Sequence, residues 1–310
     1  ENYANAIADT QFVEFAIAKR QLELFVAQAY YRLYEIRAKQ EVLEKNIKLL
    51  KTYEKLVLTS VEVGKASAVD VLRLQIRQNE IEQQKEVLEE AFISERVSFN
   101  NLLNRDENST IQILEILEIP QEEVLYSQEK LILNPELIKY DKLYESIVQS
   151  ELLNQADSNP MIGFGLDYLP VAERPDMIFS DNGKDIVMPM VSLSIPIFNN
   201  RYKSVSKQND LRQQEIKLQK EERVNILEST FSKAISLRNQ ARIQYNTQAK
   251  NLKQAKNAEE ILIKNYETGT INFNDVLDIQ ELQLKFQMNQ IQTIKEYYAQ
   301  SAKVNYLITQ

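Results

Sequence analysis

The side-chain types that most enzymes use for catalysis are missing from this chain. It contains no cysteine and no histidine, which excludes disulfides, thiolate nucleophiles, Ser-His-Asp triads and the usual zinc ligand sets. Only carboxylates, lysines and tyrosines remain for chemistry. We therefore expect a protein that is not an enzyme and that has neither a metal site nor a cofactor.

Two aspartates form the most suggestive pair of chemical groups. Asp275 and Asp278 lie three residues apart at the start of a predicted helix, so their carboxylates share one face. A carboxylate pair can hydrolyse glycosides, but long helices offer no cleft in which to place a sugar. The pair also fits an ordinary role, in which Asp275 caps its helix and Asp278 is a first-turn acid.

Methionines and a second set of aspartates have the chemistry of metal ligands but not the spacing. Four of the five methionines lie between residues 161 and 190, and thioethers suit Cu(I). Methionine on a strand is more often apolar filler. Asp176, Asp181 and Asp185 do not have the spacing of an EF-hand loop, so we interpret them as part of a solvated outer loop.

Composition favours long helices and excludes several partners. The 310 residues include only 5 Gly and 7 Pro, so few residues interrupt a helix. The net charge of −8 leaves no basic face for nucleic acid. No run of about 18 apolar residues occurs, so we expect no transmembrane helix.

The opening segment predicts one very long helix that ends at Gly64. Its apolar residues follow two registers of a seven-residue repeat, one with Phe15, Leu22, Ala29, Ile36, Leu43, Leu50 and Val57 and the other with Phe12, Val26, Leu33, Ile47 and Val61. At about 1.5 Å per residue this helix is roughly 95 Å long. A sustained repeat of this kind predicts supercoiled packing against partner helices.

Four further helices and one mixed segment follow the first break. Ser67 can cap a second helix over about 68–104. Residues 105–134 are mixed, with a strand candidate at Ile111–Leu114, and a shorter helix covers about 136–156. After Asn199-Asn200 the heptads resume for about 68 residues up to Gly269, and a last helix covers about 272–308.

The middle of the chain changes to a period of two, which predicts a β-hairpin. In the first strand one face carries Ile162, Phe164, Leu166 and Tyr168. In the second, Ile186–Ile197, one face carries Val187, Val191, Leu193 and Ile195, and the other carries Met188, Met190, Ser192 and Ser194. Both strands have the length of a tilted strand that crosses a bilayer, and Asn182-Gly183 predicts a turn between them.

The two helical hairpins are copies of each other, displaced by 205 residues. The segment from Gly64 through Asp70-Val71-Leu72 aligns with that from Gly269 through Asp275-Val276-Leu277, and the alignment extends outward without a gap. A strand pair precedes the second copy, whereas its counterpart would precede residue 1. We therefore expect a chain truncated at its N-terminus that lacks one strand pair.

This order of elements resembles the TolC family of outer-membrane factors. The resemblance covers nearly the whole chain and is carried by residues 27–31, the tip from Gly64 to Leu72, the strand Val191–Phe198 and the tip from Tyr266 to Leu277. The segment from Met161 to Phe198 looks like that of the heavy-metal-efflux subgroup. The implied fold is mainly α, with very long antiparallel coiled-coil hairpins in two structural repeats and a β-hairpin that belongs to a transmembrane β-barrel.

The resemblance also implies a division of the chain and a set of partners. Residues 1–104 form the first hairpin, 105–158 a mixed equatorial segment with a short helix, 159–198 the barrel hairpin and 199–310 the second hairpin. The implied protein is a homotrimeric exit duct of a tripartite efflux pump in the outer membrane of a Gram-negative bacterium. Its partners are a periplasmic adaptor, an inner-membrane pump and outer-membrane lipid, and it passively exports small molecules or metal ions.

Site residues follow from the same resemblance. Asp275 and Asp278 match acidic positions that ring the periplasmic entrance. Asp70 and Tyr266 match positions that hydrogen-bond across the hairpins and hold the tip shut, although a capping aspartate and a packing tyrosine explain them equally simply. The tip turns, with Gly64, Ser67, Gly269 and Asn272, are the expected adaptor contacts, although any helical hairpin needs such turns.

The alternative hypothesis is a soluble structural coiled-coil or scaffolding protein. It accounts for the heptads. It accounts neither for the alternating strands nor for the 205-residue duplication.

Overall fold

The structure, a computed structural model, describes residues 2–122, 128–176, 178, 180–197 and 200–308. The helices are α1 (Asn2–Glu62), α2 (Ala68–Leu102), α3 (Pro135–Asp157), α4 (Asn200–Glu267) and α5 (Phe273–Leu307), with a 3₁₀ helix at Gln128–Leu133. Strands β1 (Met161–Leu169) and β2 (Ile186–Ser194) pair antiparallel. This order confirms the predicted mainly helical fold with one β-hairpin. Phe198 and Asn199, at the predicted end of the β-hairpin segment, lie outside the described residues.

The internal duplication is visible in the helix boundaries. We call α1 with α2 hairpin 1, and α4 with α5 hairpin 2. Helices α1 and α4 end at Glu62 and Glu267, and the 35-residue helices α2 and α5 begin at Ala68 and Phe273. Each boundary in hairpin 2 therefore lies 205 residues after its counterpart in hairpin 1.

The chain folds as two compact units. One comprises Glu1–Glu14 with Pro135–Arg223, and the other comprises Phe15–Asn134 with Val224–Gln310. We call them the hairpin-strand unit and the helical unit. The four-part division expected from the sequence follows the order of elements along the chain and stays a prediction.

The helical unit has its core where hairpin 1 meets hairpin 2. The largest cluster joins buried side chains from α1, α2, α4 and α5, namely Leu43, Ile47, Leu50, Tyr53, Val57, Val71, Leu74, Ile81, Tyr266, Phe273, Val276 and Leu284. Smaller clusters centre on Tyr34 with Tyr297 and on Leu33 with Phe99. Over residues 29–57 of α1, most predicted register positions are buried, namely Ala29, Leu33, Leu43, Ile47, Leu50 and Val57. Tyr34, Asn46 and Tyr53 are also buried but lie outside the two registers, so the repeat predicted most but not all of the core face.

The segment after α2 does not contain the expected strand. Ile111–Leu114 is extended but pairs with no other strand among the described residues. Instead, two tyrosines of α1 take up its backbone donors: the Leu114 amide donates to the Tyr30 hydroxyl, and the Leu117 amide donates to the Tyr34 hydroxyl, both at 3.1 Å. The prediction of a strand was wrong because side chains, which a period-two pattern does not report, satisfy this backbone.

The hairpin-strand unit carries the predicted β-hairpin with its predicted faces. Phe164 pairs with Val191 and Ile162 pairs with Leu193, so the apolar sets of the two strands share one face. Strand β2 ends at Ser194 rather than at the predicted Ile197. Prolines at 160 and 196 have no backbone N–H, so neither can extend the ladder.

The loop between the strands is organised by side chains. Gly183 has a φ of 80°, as the predicted Asn182-Gly183 turn requires. The Asp185 carboxylate accepts hydrogen bonds from the Val171 amide at 3.0 Å and from the Tyr168 hydroxyl. Asp185, expected to be a solvated residue, thus holds the loop ends together, and Met177 of this region lies outside the described residues.

Polar side chains join α3 to α4 in the same unit. Ser206 and Asn209 donate hydrogen bonds to the Glu151 carboxylate at 2.7 and 2.9 Å. These bonds, that of Asn209 foremost, lower the pKa of Glu151. Across the described residues, no helix is sufficiently long and apolar to cross a membrane.

Replacement of Tyr34 by Phe tests the tyrosine contacts. The change leaves the Leu117 amide without its acceptor in a partly buried setting, so we expect the free energy of unfolding to fall by about 1 to 3 kcal/mol. Tyr31→Phe is the control, because the Tyr31 ring stacks on Tyr298 while its hydroxyl makes no hydrogen bond within the described residues. Urea unfolding of both variants gives the measurement, and equal losses would contradict the assignment.

Candidate functional site

The turn that closes hairpin 1 depends on a glycine in a left-handed conformation. Gly64 has a φ of 73°, which a residue with a Cβ adopts only at a cost. Its amide donates to the Val61 carbonyl at 2.9 Å, and the Lys65 amide donates to the Ser60 carbonyl at 2.8 Å. This pair of bonds is a Schellman motif, and it terminates α1.

Hairpin 2 is closed by the same motif. Gly269 has a φ of 77°, and its amide donates to the Tyr266 carbonyl at 2.9 Å. The Thr270 amide donates to the Asn265 carbonyl at 2.9 Å. Nothing lies within 4 Å of a Cβ built on either glycine, so backbone conformation rather than space requires glycine at both tips.

The two tips differ in how the return helix is capped. Ser67 accepts a hydrogen bond from the Val69 amide at 3.2 Å, and the Asp70 carboxylate accepts one from the Ser67 amide at 3.3 Å. This is the reciprocal capping box. Asn272 holds the equivalent position before α5 but makes no side-chain capping bond.

Asp275 and Asp278 are placed differently from Asp70. Both side chains are exposed in the first turns of α5, and neither makes a hydrogen bond or an ion pair within the part of the chain that the structure describes. The repeat-equivalent of Asp278 is Arg73, so hairpin 1 lacks the second acid. Hairpin 2 therefore presents two free carboxylates near its tip, where hairpin 1 presents one that its own cap engages.

The structure does not join Asp70 to Tyr266 by a hydrogen bond. The Asp70 carboxylate is engaged by the Ser67 amide, and the buried Tyr266 hydroxyl has no partner among the described residues. The Tyr266 ring instead packs edge-on against Phe273, with ring centroids 5.1 Å apart. The expected latch is absent from the single chain, and its formation in an assembly stays a prediction.

A polar cluster in hairpin 1 escaped the sequence analysis. Glu54 of α1 accepts hydrogen bonds from Gln75 at 2.8 Å and from Gln78 at 3.0 Å, both on α2. These bonds, that of Gln75 foremost, lower the pKa of Glu54. We call this set clamp 1, since it ties the two helices of the hairpin together.

The same cluster recurs 205 residues later as clamp 2. Glu259 of α4 accepts hydrogen bonds from Gln280 and from Gln283 of α5, the latter at 2.7 Å. Identical residue types at the 205-residue displacement were the signal that would have found both clamps. Glutamate and glutamine on a long helix are commonly solvated, so their presence alone does not indicate a contact.

Clamp 2 has a partner that clamp 1 lacks. The Tyr53 hydroxyl of hairpin 1 donates a hydrogen bond to Glu259, and its ring lies edge-on to Phe273 with centroids 5.7 Å apart. Burial, together with the hydrogen bond and the charge of Glu259, raises the pKa of Tyr53. The repeat-equivalent of Tyr53 is Ala258, which has no hydroxyl to offer.

The exposed carboxylates of Asp275 and Asp278 can attract ions, and the two clamps fix helix positions. Within the described residues, no three acidic side chains come together as a metal site would require. Carboxylates that are free and exposed at a helix tip act through their field on nearby ions.

Comparison with solved structures identifies proteins of similar fold. The outer-membrane channel OprN aligns with a TM-score of 0.83 and 15% identity over 99% of this chain and 70% of OprN. VceC of Vibrio cholerae gives 0.81 and 16% over 99% and 74%, and the open state of MtrE of Neisseria gonorrhoeae gives 0.78 and 17% over 100% and 73%. The chain has the fold of these outer-membrane channels.

The channel fold confirms what the TolC resemblance implied about architecture. No protein-family model and no curated protein matches the sequence. With the three channels at 15 to 17% identity, the likeness is one of fold.

The unequal caps at the two tips give a paired test. Ser67→Ala removes a side-chain cap, which typically costs about 1 kcal/mol, so amides in the first turn of α2 should exchange hydrogen about fivefold faster. Asn272→Ala removes no such bond, and exchange in the first turn of α5 should change little. Equal acceleration at both tips, measured by hydrogen–deuterium exchange, would contradict this difference.

Proposed function

We propose that this chain is a subunit of a trimeric outer-membrane exit duct of a tripartite efflux pump. Its role is a passive conduit for small molecules or metal ions across the periplasm and the outer membrane. The observation that carries the proposal is a fully exposed β-hairpin with one continuous apolar face, on a chain with the channel fold. An exposed apolar surface of this kind marks a site of contact with lipid or with another protein.

The hairpin has the properties of a barrel segment. Every residue of β1 and β2 is exposed, with Phe164 at 83% and Val191 at 72% on the apolar face. The opposite face is mixed, with Gly163, Gly165 and Ser192 beside Met188 and Met190. One continuous apolar face on nine-residue strands fits the lipid-facing side of a barrel. Two strands leave two open edges, which a barrel pairs with further strands.

Exposed apolar residues on α1 support association with further copies. Phe12 is 73% exposed and Phe15 is 66% exposed, although both belong to the heptad registers that are buried farther along the helix. These heptad registers are buried farther along α1 but exposed at Phe12 and Phe15. A partner helix would bury the exposed positions. Homotrimerisation, as the resemblance implies, supplies that partner.

The free carboxylates of hairpin 2 support a charged entrance. Three copies bring six carboxylates, three from Asp275 and three from Asp278, around one axis, which attracts cations and repels anions. The adjacent tip turns around Gly64 and Gly269 are the proposed contacts for a periplasmic adaptor. The adaptor in turn links the duct to an inner-membrane pump.

Conductance measurements test the duct and its entrance together. The complete protein, reconstituted in a planar bilayer, should form cation-selective channels, and the Asp275→Asn, Asp278→Asn double variant should lower the cation-to-anion permeability ratio several-fold. Glu62→Gln removes another exposed carboxylate near a tip and serves as the control. Absence of any conductance would reject the duct in favour of a scaffolding role, and unchanged selectivity would reject the acidic entrance.

Arginine substitutions on the two faces of β2 test the barrel assignment. Val191→Arg places a charge on the apolar face at mid-strand, where lipid exposure costs about 2 to 4 kcal/mol. Met190→Arg places the same charge one residue away on the opposite face. The first variant should lose outer-membrane insertion, as measured by the folded trimer in membrane fractions, and the second should keep it. Equal behaviour of the two would count against a lipid-facing side.

A further inference from the structure

Polar contacts join the two hairpins at several levels of the helical unit. They pair Glu35 with Lys295 at 3.6 Å, Asn46 with Gln287 at 3.3 Å, Arg77 with Glu281 at 3.7 Å, and Tyr53 with Glu259. Three of the four begin on α1, and three end on α5. The hairpins are therefore held in register by directional bonds along much of the helical unit.

These contacts stop at Tyr53 and clamp 2. In residues 54–76 and 260–279, all of which the structure describes, no hydrogen bond or ion pair links hairpin 1 to hairpin 2. We call these two segments the tip segments. What joins them is apolar packing, with Val57, Val71, Tyr266 and Phe273 in one cluster. Apolar contacts are not directional and can slide.

The two hairpins are hardest to separate at Tyr53 and clamp 2, the level where the polar contacts between them stop. Tyr53 is 6% exposed and Gln280 and Gln283 are each 5% exposed. Glu259 is held from both hairpins, by Tyr53 on one side and by the two glutamines on the other. Separation at this level leaves buried polar groups unpaired, which costs more than the loss of an exposed contact.

We propose that Tyr53 and Glu259 form a joint that fixes hairpin 1 to hairpin 2, and that only the tip segments part from each other beyond it. Tyr53 is thus a positioning residue for the tips. Where the chain acts as the duct proposed above, this joint limits how far the entrance opens. The joint itself is a property of the fold and does not require conduction.

The duplication provides a matched control for the joint. Clamp 1 has the same Glu-Gln-Gln composition as clamp 2 but receives no donor from hairpin 2, where Ala258 replaces the tyrosine. Glu54→Gln therefore weakens a clamp within one hairpin and leaves the bond between hairpins intact. Tyr53→Phe removes only the hydrogen bonds of the hydroxyl, which join it to Glu259 and Gln280 of hairpin 2, and keeps the ring against Phe273.

Distances between spin labels at two levels test the joint. The chain has no native cysteine, so labels attach only at introduced sites. One pair, Lys65→Cys with Thr270→Cys, reports the distance between the two tips. The other pair, Lys45→Cys with Lys250→Cys, reports the distance between the hairpins on the side of the joint that lies away from the tips. All four positions are exposed, and each pair occupies repeat-equivalent positions. Pulsed electron paramagnetic resonance on the complete protein, diluted with unlabelled chain, gives the distances within one copy.

The expected result is specific to one variant and one level. Tyr53→Phe should lengthen and broaden the 65–270 distance and leave the 45–250 distance unchanged, while Glu54→Gln should change neither. An unchanged tip distance in Tyr53→Phe would overturn the joint. So would equal shifts at both levels, or a Glu54→Gln effect as large as that of Tyr53→Phe.

A second variant keeps the test decisive if Tyr53→Phe does not fold. Glu259→Gln keeps the shape of clamp 2 and removes its charge, so it should lengthen the tip distance in the same direction but by less. Should Tyr53→Phe fail to assemble, Glu259→Gln decides by the same criteria. Lack of conductance in the parent protein would reject the duct, whereas the label distances would still accept or reject the joint.

Discussion

Side-by-side packing of long helices is the constraint on which this structure depends. An amphipathic helix buries one stripe of side chains, so it needs a partner along its whole length. Within the helical unit the four long helices cover one another around Leu43, Leu50 and Val276. At Phe12 and Phe15 of α1 and on both strands that cover is missing. The single chain therefore carries exposed apolar surface at these places.

Periodicity made the elements predictable because it reflects backbone geometry directly. Gly64 and Gly269 had to end their helices, since each adopts a positive φ that other residues avoid. The faces of the β-hairpin followed from alternation, and the pairing of Phe164 with Val191 shows both strands in the expected orientation. Heptads report that a face is apolar and do not report which partner covers it. For this reason Phe12 and Leu33 belong to one register, yet Phe12 is exposed and Leu33 is buried.

Polar contacts were the part that sequence patterns did not predict. A tyrosine hydroxyl reaches a backbone amide more than 80 residues away, as from Tyr34 to Leu117, and no local pattern encodes that distance. The Asp70 carboxylate had two plausible partners, and the capping box within its own turn engaged it. The clamps were accessible through the duplication alone, because Glu54 and Glu259 are recognisable only when the two copies are compared.

The duplication separates what the backbone requires from what each copy does. Both hairpins keep the glycine turn and the Glu-Gln-Gln clamp, so these serve the hairpin itself. Three of the differences set the tips and the contact between hairpins: Ser67 against Asn272, Arg73 against Asp278, and Tyr53 against Ala258. Hairpin 1 thus supplies a capped tip and the tyrosine donor, whereas hairpin 2 supplies free carboxylates and the acceptor. Two copies of one backbone have become complementary, so contacts between them need not be symmetric, and the negative charge near the tips is concentrated on hairpin 2.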